Sequence, residues 1–429
     1  MKAKLFFTGL LFSACLATNA QTDANGYTTV EATMGTSYAN RVFFDLSENK
    51  LTSQSADTWD IALYRVNGMQ YGTRVNDAKN IKTYQVSANP DDWENVNISN
   101  IADWGEPLYN PDKTESLQNG AFEQSTLVTS QNCPSNIITG WGCYNFLNHH
   151  IEGKVIFVLQ YPDTSYVKFM ITDYFYGYTI KYAKSNGSTW GETITKTIAN
   201  GSDDQYFNYF SFDTNDEVKN LEPARAEWDF MLTRYWTFYN NVMMYRMSGI
   251  LQSPRITVAR TIETQKTAEV KLPAETDFKK EISTIGHSWK PTSGLIPNVV
   301  YYIKENDQYY RLFFTQNGGA GTGNMYFKYK NITNLLSTAD VKQNVSFGIY
   351  PNPAPNKQVT LLYDVKSEIG NQGKIQIFDL SGRKVYETDI TKTAGFFKKE
   401  LNLHQLSSGI YLVNLSIGTY TETKKLILK

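Results

Sequence analysis

Histidine is scarce in this chain, with four in 429 residues, and cysteine is scarcer still, with three. So few imidazoles give little support to a hydrolase triad, and no Gly-x-Ser-x-Gly turn is present to carry its nucleophile. An excess of one charge is missing too. The 41 Lys and Arg are balanced by 42 Asp and Glu, for a net charge of −1, so the basic face that nucleic acid requires is not expected. Long hydrophobic runs are absent beyond the N-terminus. The run Leu5–Ala17 is itself shorter than the roughly 20 apolar residues of a membrane span, so no transmembrane span is expected. Complete phosphate and calcium motifs are lacking as well. In Gly318-Gly319-Ala320-Gly321-Thr322-Gly323 the third glycine of a dinucleotide loop is replaced by Asn324, and a strand follows instead of a helix, which predicts an open hairpin loop. In Asp213-Thr214-Asn215-Asp216-Glu217 the glycine needed for a calcium loop is replaced by Val218. Acid pairs such as Asp91-Asp92 and Asp203-Asp204 sit in polar turns. A glycosidase needs no local motif for its two acids, so a secreted hydrolase stands as a third reading.

What is present begins with export. Lys2 and Lys4 precede the apolar run, and Thr18-Asn19-Ala20 supplies small residues before Gln21, the pattern of a cleaved signal peptide over residues 1–20. Cleavage there removes Cys15 and two lysines and leaves a charge of −3. Cys133 and Cys143 then face an oxidising compartment, ten residues apart around Pro134 and Gly140-Trp141-Gly142. A metal or nucleophile role for them would draw on the neighbouring His149 and His150; a loop disulfide is the expected use. Aromatics make up 14% of the chain. In a β-rich protein these are expected as core and cross-strand residues, so they do not by themselves indicate sugar binding.

The chain also repeats. Tyr38-Ala39-Asn40, Phe44-Asp45 and Trp59-Asp60-Ile61-Ala62-Leu63 recur as Tyr206-Phe207-Asn208, Phe212-Asp213 and Trp228-Asp229-Phe230-Met231-Leu232. This register is nearly gap-free. The hairpin Val155–Gln160 with Tyr166–Phe169 recurs as Val299–Lys304 with Tyr309–Leu312, turning at Pro162-Asp163 and at Asn306-Asp307. Ile180-Lys181-Tyr182 and Phe327-Lys328-Tyr329 close the copies. Two homologous β-rich lobes are expected, residues 21–195 and 200–335. The first carries about 26 extra residues that hold both cysteines and the histidine pair. Such insertions form loops on a rigid scaffold, where binding residues concentrate.

After a polar linker over 336–348, residues 349–429 contain Tyr350-Pro351-Asn352-Pro353, a strand ending in Asp379-Leu380-Ser381-Gly382-Arg383, and Leu406-Ser407-Ser408-Gly409-Ile410-Tyr411 before the terminal strands. This order of motifs closely resembles the type A C-terminal sorting domain of the type IX secretion system of Bacteroidetes. The resemblance implies a small immunoglobulin-like β-sandwich, the secretion machinery and its sortase as partners, cleavage within Ser337–Ser346, and a secreted or outer-membrane surface-attached product. The Trp59-Asp60-Ile61-Ala62-Leu63 segment, with Val155–Val158 and Tyr166–Phe169, resembles the HmuY family of Bacteroidetes. That family's founding members are haem-binding haemophores of mostly antiparallel β fold. The resemblance implies haem or another porphyrin as ligand, with His or Met side chains on the iron, and host haemoproteins as partners. The candidate ligands are Met69, His149 and His150 in the first lobe. Adjacent histidines on a strand face opposite ways, so if the segment is extended only one of the pair can serve, joined by Met69 or another distant residue; the expected arrangement is a surface pair in a loop after Asn148. In the second lobe Met243, Met244 and Met247 are expected as core filler, and His287 is the remaining imidazole. The expected function is that of an exported binding protein and not an enzyme. A non-haem adhesive or structural surface module is the alternative.

Overall fold

The computed structural model describes residues 15–16, 22–65, 70–263, 271–291, 294–335, 345–365, 373–391, 393, 395–417 and 420–429. The signal-peptide expectation therefore lies outside the described residues, apart from Cys15–Leu16, as does most of the expected linker. The chain is mostly β, with antiparallel sheets. It divides into two compact units, one through Asn331 and one from Ile332.

Four sheets build the first unit, and they fall into two matching pairs. One large sheet has the order β13 (Thr189–Ala199), β12 (Gly177–Asn186), β11 (Tyr166–Tyr174), β10 (Ile156–Gln160), β7 (Lys82–Ser87). Two short strands, β8 (Gly142–Tyr144) and β9 (Ile151–Gly153), attach at the end of β11. The other large sheet runs β2 (Thr28–Thr33), β21 (Asn324–Asn331), β20 (Gln308–Asn317), β19 (Val299–Glu305), β18 (Ile256–Ile262). The smaller sheets are β15 (Asp216–Val218), β14 (Phe207–Ser211), β5 (Ile61–Tyr64), β6 (Thr73–Val75), and β4 (Lys50–Ser55), β3 (Asn40–Asp45), β16 (Phe230–Tyr239), β17 (Met243–Gln252). The two-residue strand β1 (Cys15–Leu16) pairs with the outer edge of β4.

The strand orders are the same in both pairs, which is the signature of a duplication. Yet neither pair comes from one sequence segment. Hairpin β3–β4 pairs with β16, hairpin β14–β15 pairs with β5, and β2 closes the sheet of β21. The two lobes expected in series thus interleave, and the expected register needs a correction. Phe44 lies opposite Phe230 where Phe210 lies opposite Ile61, so the structural equivalent of Phe44 is Phe210, two residues before Phe212. Trp59 and Trp228 are equivalent and both buried. The amides of the following aspartates match too: Asp60 donates to the Phe210 carbonyl and Asp229 to that of Phe44.

Each sheet pair encloses its own core. One contains Ile61, Leu63, Phe157, Phe169, Tyr178 and Phe210; the other contains Val42, Phe44, Phe230, Leu232, Tyr301 and Phe314. A third cluster, with Trp59, Tyr209, Trp228 and Tyr235, fills the seam where the exchanged strands meet. Strand β10 is buried over four consecutive residues because it is covered on both faces. Trp93 and Trp104, from two short 3-10 segments between β7 and β8, pack on Ile156 and Val158 from outside. Lys168 of β11 is also buried there, its ammonium donating to the Trp93 carbonyl and lying over the rings of Trp93 and Trp190. The Gly318–Gly323 stretch departs from the expected open loop. Gly319–Thr322 form one helical turn ended by Gly323 in a left-handed conformation.

The second unit packs a three-stranded sheet, β22 (Val345–Tyr350), β23 (Gln358–Val365), β26 (Gly395–Asn402), and a four-stranded sheet, β25 (Lys384–Asp389), β24 (Gly373–Phe378), β27 (Gly409–Ile417), β28 (Tyr420–Leu428), around one core. Burial alternates along β23 and β24, as period-two strands with one face inward require. The sorting motifs are scaffold parts. Asn352 of Pro-Asn-Pro accepts from the Ile427 amide and donates to the Lys425 carbonyl, tying the entry to the final strand. Asp379 accepts from the amides of Ser381 and Arg383, and Gly382 takes φ of 80°, so the Asp-Leu-Ser-Gly-Arg segment is a turn.

Candidate functional site

The largest departure from the duplicated scaffold lies between β7 and β10. That connection spans positions 88–155, 68 residues, whereas the equivalent one between β18 and β19 spans 263–298, 36 residues. Cys133 and Cys143 are joined within it, Cα to Cα 5.4 Å, and both sulfurs are buried against the first core. Trp141, fully buried, belongs to the same core as the bridge. Its indole donates to Glu123, whose other oxygen accepts from the Thr73 hydroxyl and the Gly120 amide. Burial outweighs these three donors and pushes the Glu123 carboxyl up to about 7. Gly140 has φ of 85°, and a Cβ there would meet the Glu123 carbonyl at 2.4 Å, so only glycine allows this approach.

Above the bridge β8 and β9 form a hairpin whose tip, residues 145–150, carries the histidines. Asn145 shapes the tip, its amide donating to the His150 carbonyl and its carbonyl accepting from the His149 amide. His149 takes φ of 64°. The two rings thus come from a turn, as a pair in a loop after Asn148 requires, and each has its own partner. His149 Nδ1 meets the Tyr144 hydroxyl at 2.6 Å. His150 Nδ1 lies 2.8 and 2.9 Å from the two oxygens of Asp173, and its ring stacks on Phe175 at 4.5 Å with 1° between planes. An imidazole whose Nδ1–H is held by a carboxylate has a fixed orientation and an Nε2 lone pair available to a ligand, the usual arrangement around metal-ligating histidines.

The surface around His150 is apolar. Leu147 is 95% exposed and Phe146 60% at the tip; Phe175 and Tyr176 are exposed beside it, and Ile137 and Ile138 on the paired loop. Bridge pairing of Ile138 with Cys143, and the bond from the Tyr144 amide to the Ile137 carbonyl, hold these side chains on one hairpin end. Scattered apolar residues are ordinary on a surface; six exposed on adjoining turns make this a candidate contact site.

Met69 lies outside the described residues. Its described neighbours Gln70 and Tyr71 lie against the same region: the Gln70 carbonyl accepts from Tyr174, and Tyr71 packs edge-on against Trp141 and Tyr174. In the other half, Met247 is buried as anticipated, but Met243 is 56% exposed on the β16–β17 hairpin, so Met243 is not core filler. His287 donates or accepts at the Tyr235 hydroxyl, 2.8 Å away, and burial lowers its pKa. Among the described residues no group of three or more His, Cys, Asp or Glu is placed to hold a metal ion, and no helix is long and apolar enough to cross a membrane. The sequence offered no signal for Asp173 or Phe175, which acquire a role only because β11 brings them under the histidine tip.

Comparison with known families assigns both ends of this architecture. Residues 37–188 match the family described as HmuY protein. Residues 348–429 match the secretion system C-terminal sorting domain. A search of curated proteins finds no match. The sorting domain makes this a protein of the cell surface or extracellular space, exported through the type IX secretion system, and HmuY is a family of binding proteins.

Proposed function

From a HmuY region joined to a type IX sorting domain, we propose that the chain is a surface-delivered haem-binding protein, not an enzyme, with its site at the disulfide-closed hairpin 133–153. The observation that carries the reading is His150. It is oriented by Asp173, stacked on Phe175, and set among exposed apolar side chains that suit the face and edge of a macrocycle. The residues present fit the group: His150 Nε2 would ligate the iron, while Phe146, Leu147 and Tyr176 would cover the porphyrin. Bound haem supplies an iron centre whose spectrum reports its axial ligands. The protein's part is orientation. Asp173 accepts from Nδ1 and so fixes the ring's orientation and tautomer, the bridge fixes the hairpin that presents it, and the buried Trp141–Glu123 pair holds the bridge against the sheet. Met69, close in sequence to Gln70 and Tyr71, would be the second residue to hold the group.

Haem titration of the full chain, followed by absorption, tests this. A saturable Soret band at one haem per chain is expected, and Asp173→Asn should weaken binding by roughly 10–100-fold, the usual effect of removing an orienting partner. Absorbance that rises linearly with haem, as for free haem in buffer, rejects the reading.

A further inference from the structure

A second site lies away from the histidine hairpin, at the seam of the duplication. A cavity of about 40 Å³ is lined there by equivalent positions from both halves: Trp59 with Trp228, Arg41 with Phe207, Ala62 with Met231, and Arg74 with Leu251. Three guanidinium groups, Arg41, Arg74 and Arg234, face this space. Arg41 and Arg74 are 5% and 7% exposed. The arginine ion pairs among the described residues belong to Arg65, Arg225, Arg255, Arg311 and Arg383; the three cavity arginines form none, although Arg74 is electrostatically coupled to Asp77 and Arg41 to Glu222. Arg41 is held by the Leu221 carbonyl and by the rings of Phe43, Trp59 and Tyr209, which supply no compensating charge.

The N–H inventory agrees. Arg41 Nε, Arg234 Nε, Trp59 Nε1 and Trp228 Nε1 are all buried without a partner, and all four residues line this one cavity. Buried donors in native proteins are almost always satisfied, and an unpaired buried charge costs more than any neutral group. Two carboxyls also line the space, but their oxygens serve other donors. Glu222 accepts from the amides of Tyr206 and Phe207 and from the Tyr209 hydroxyl, and Asp77 from the Asn110 amide. Burial raises both, Asp77 to about 7, which reduces the negative charge they present. Water would satisfy the donors and leave three arginines against two carboxyls; an anion satisfies the donors and balances the remaining charge.

We propose that this cavity binds one small inorganic anion of halide size, held by Arg41 Nε and the two equivalent indole N–H groups. The anion would join the exchanged hairpins and so belongs to the scaffold, independent of the haem reading.

The experiment is thermal unfolding of the full chain at one ionic strength in sodium chloride, bromide, sulfate or gluconate, with bromide-edge anomalous diffraction from crystals grown in bromide. Linkage makes a ligand of the folded state raise the midpoint with concentration. The midpoint is expected to be roughly 2–4 °C higher in chloride and bromide than in gluconate, with one bromide peak beside Arg41 and the indoles, and Arg41→Gln should abolish the difference. Equal midpoints in all four salts and no peak mean water alone and overturn the proposal. Stabilisation by sulfate without halide overturns the halide assignment. Should Arg41→Gln fail to fold, the bromide peak in the unaltered protein decides.

Discussion

Asp229→Asn should stabilise the protein at alkaline pH and leave it nearly unchanged in acid. Asp229, 1% exposed, opens β16 within the repeated Trp-Asp motif. One oxygen accepts from the Leu46 amide at 2.7 Å, and the other has no partner. Its equivalent, Asp60, is fully engaged by Lys79, Tyr161 and the Phe212 amide. Burial, with Glu305 and Asp45 nearby, pushes the Asp229 carboxyl up to about 7 from 3.8. In the unfolded chain it loses its proton near the ordinary value, so between pH 4 and 7 the folded state holds a proton that the unfolded state has released. Stability therefore falls as pH rises through that window, and the whole cost is present above 7. Three pH units at 1.36 kcal/mol each set a ceiling of about 4 kcal/mol, and about 2–4 kcal/mol is expected. Asparagine cannot ionise, and about two of the three units lie above pH 5, so urea unfolding should show the variant gaining about 1–3 kcal/mol at pH 8 over its difference at pH 5. A variant that tracks the parent at both pH values would refute the reasoning.

Other consequences are as direct. Trp228→Ala should cost about 3–5 kcal/mol by urea unfolding, since a large buried ring is lost from the seam; a cost under about 1 kcal/mol would mean that the seam repacks freely. Cys143→Ser should cost about 2–3 kcal/mol for so short a closed loop, and loss of haem binding without loss of fold in the same variant would tie the site to the hairpin. Deleting residues 349–429 should strand a folded protein inside the outer membrane; surface detection of the truncated chain by cell fractionation would contradict the sorting role.

The secretion motifs and the β character were legible because both are local. Alternating or continuous apolar strands, turn residues such as Asn306-Asp307, and the ordered motifs after Ile349 each carry their signal in a few residues. Pairing partners are not local. The apolar pattern of β3 says that Phe44 faces a core but not which one, so the exchange of hairpins β3–β4 and β14–β15 left no mark. The register error has the same origin. A one-residue slip exchanges the two faces of a strand, whereas a two-residue slip preserves them, so matching Phe44 with Phe212 instead of Phe210 violated no pattern. At the sites, His149 and His150 stood out by rarity, but Asp173 and Phe175 did not, since the contact that gives them meaning is made across the sheet. Arg41, Arg74 and Arg234 were likewise unremarkable until the fold brought three arginines to one cavity.

The central claim is that His150, and not its neighbour, presents the ligand atom. Parallel haem titrations of the full chain carrying His150→Ala or His149→Ala test it most directly. His150→Ala should lose at least about tenfold in affinity, about 1.4 kcal/mol, and shift the Soret band, while His149→Ala should keep both affinity and spectrum. Unchanged binding and spectrum in His150→Ala would contradict it.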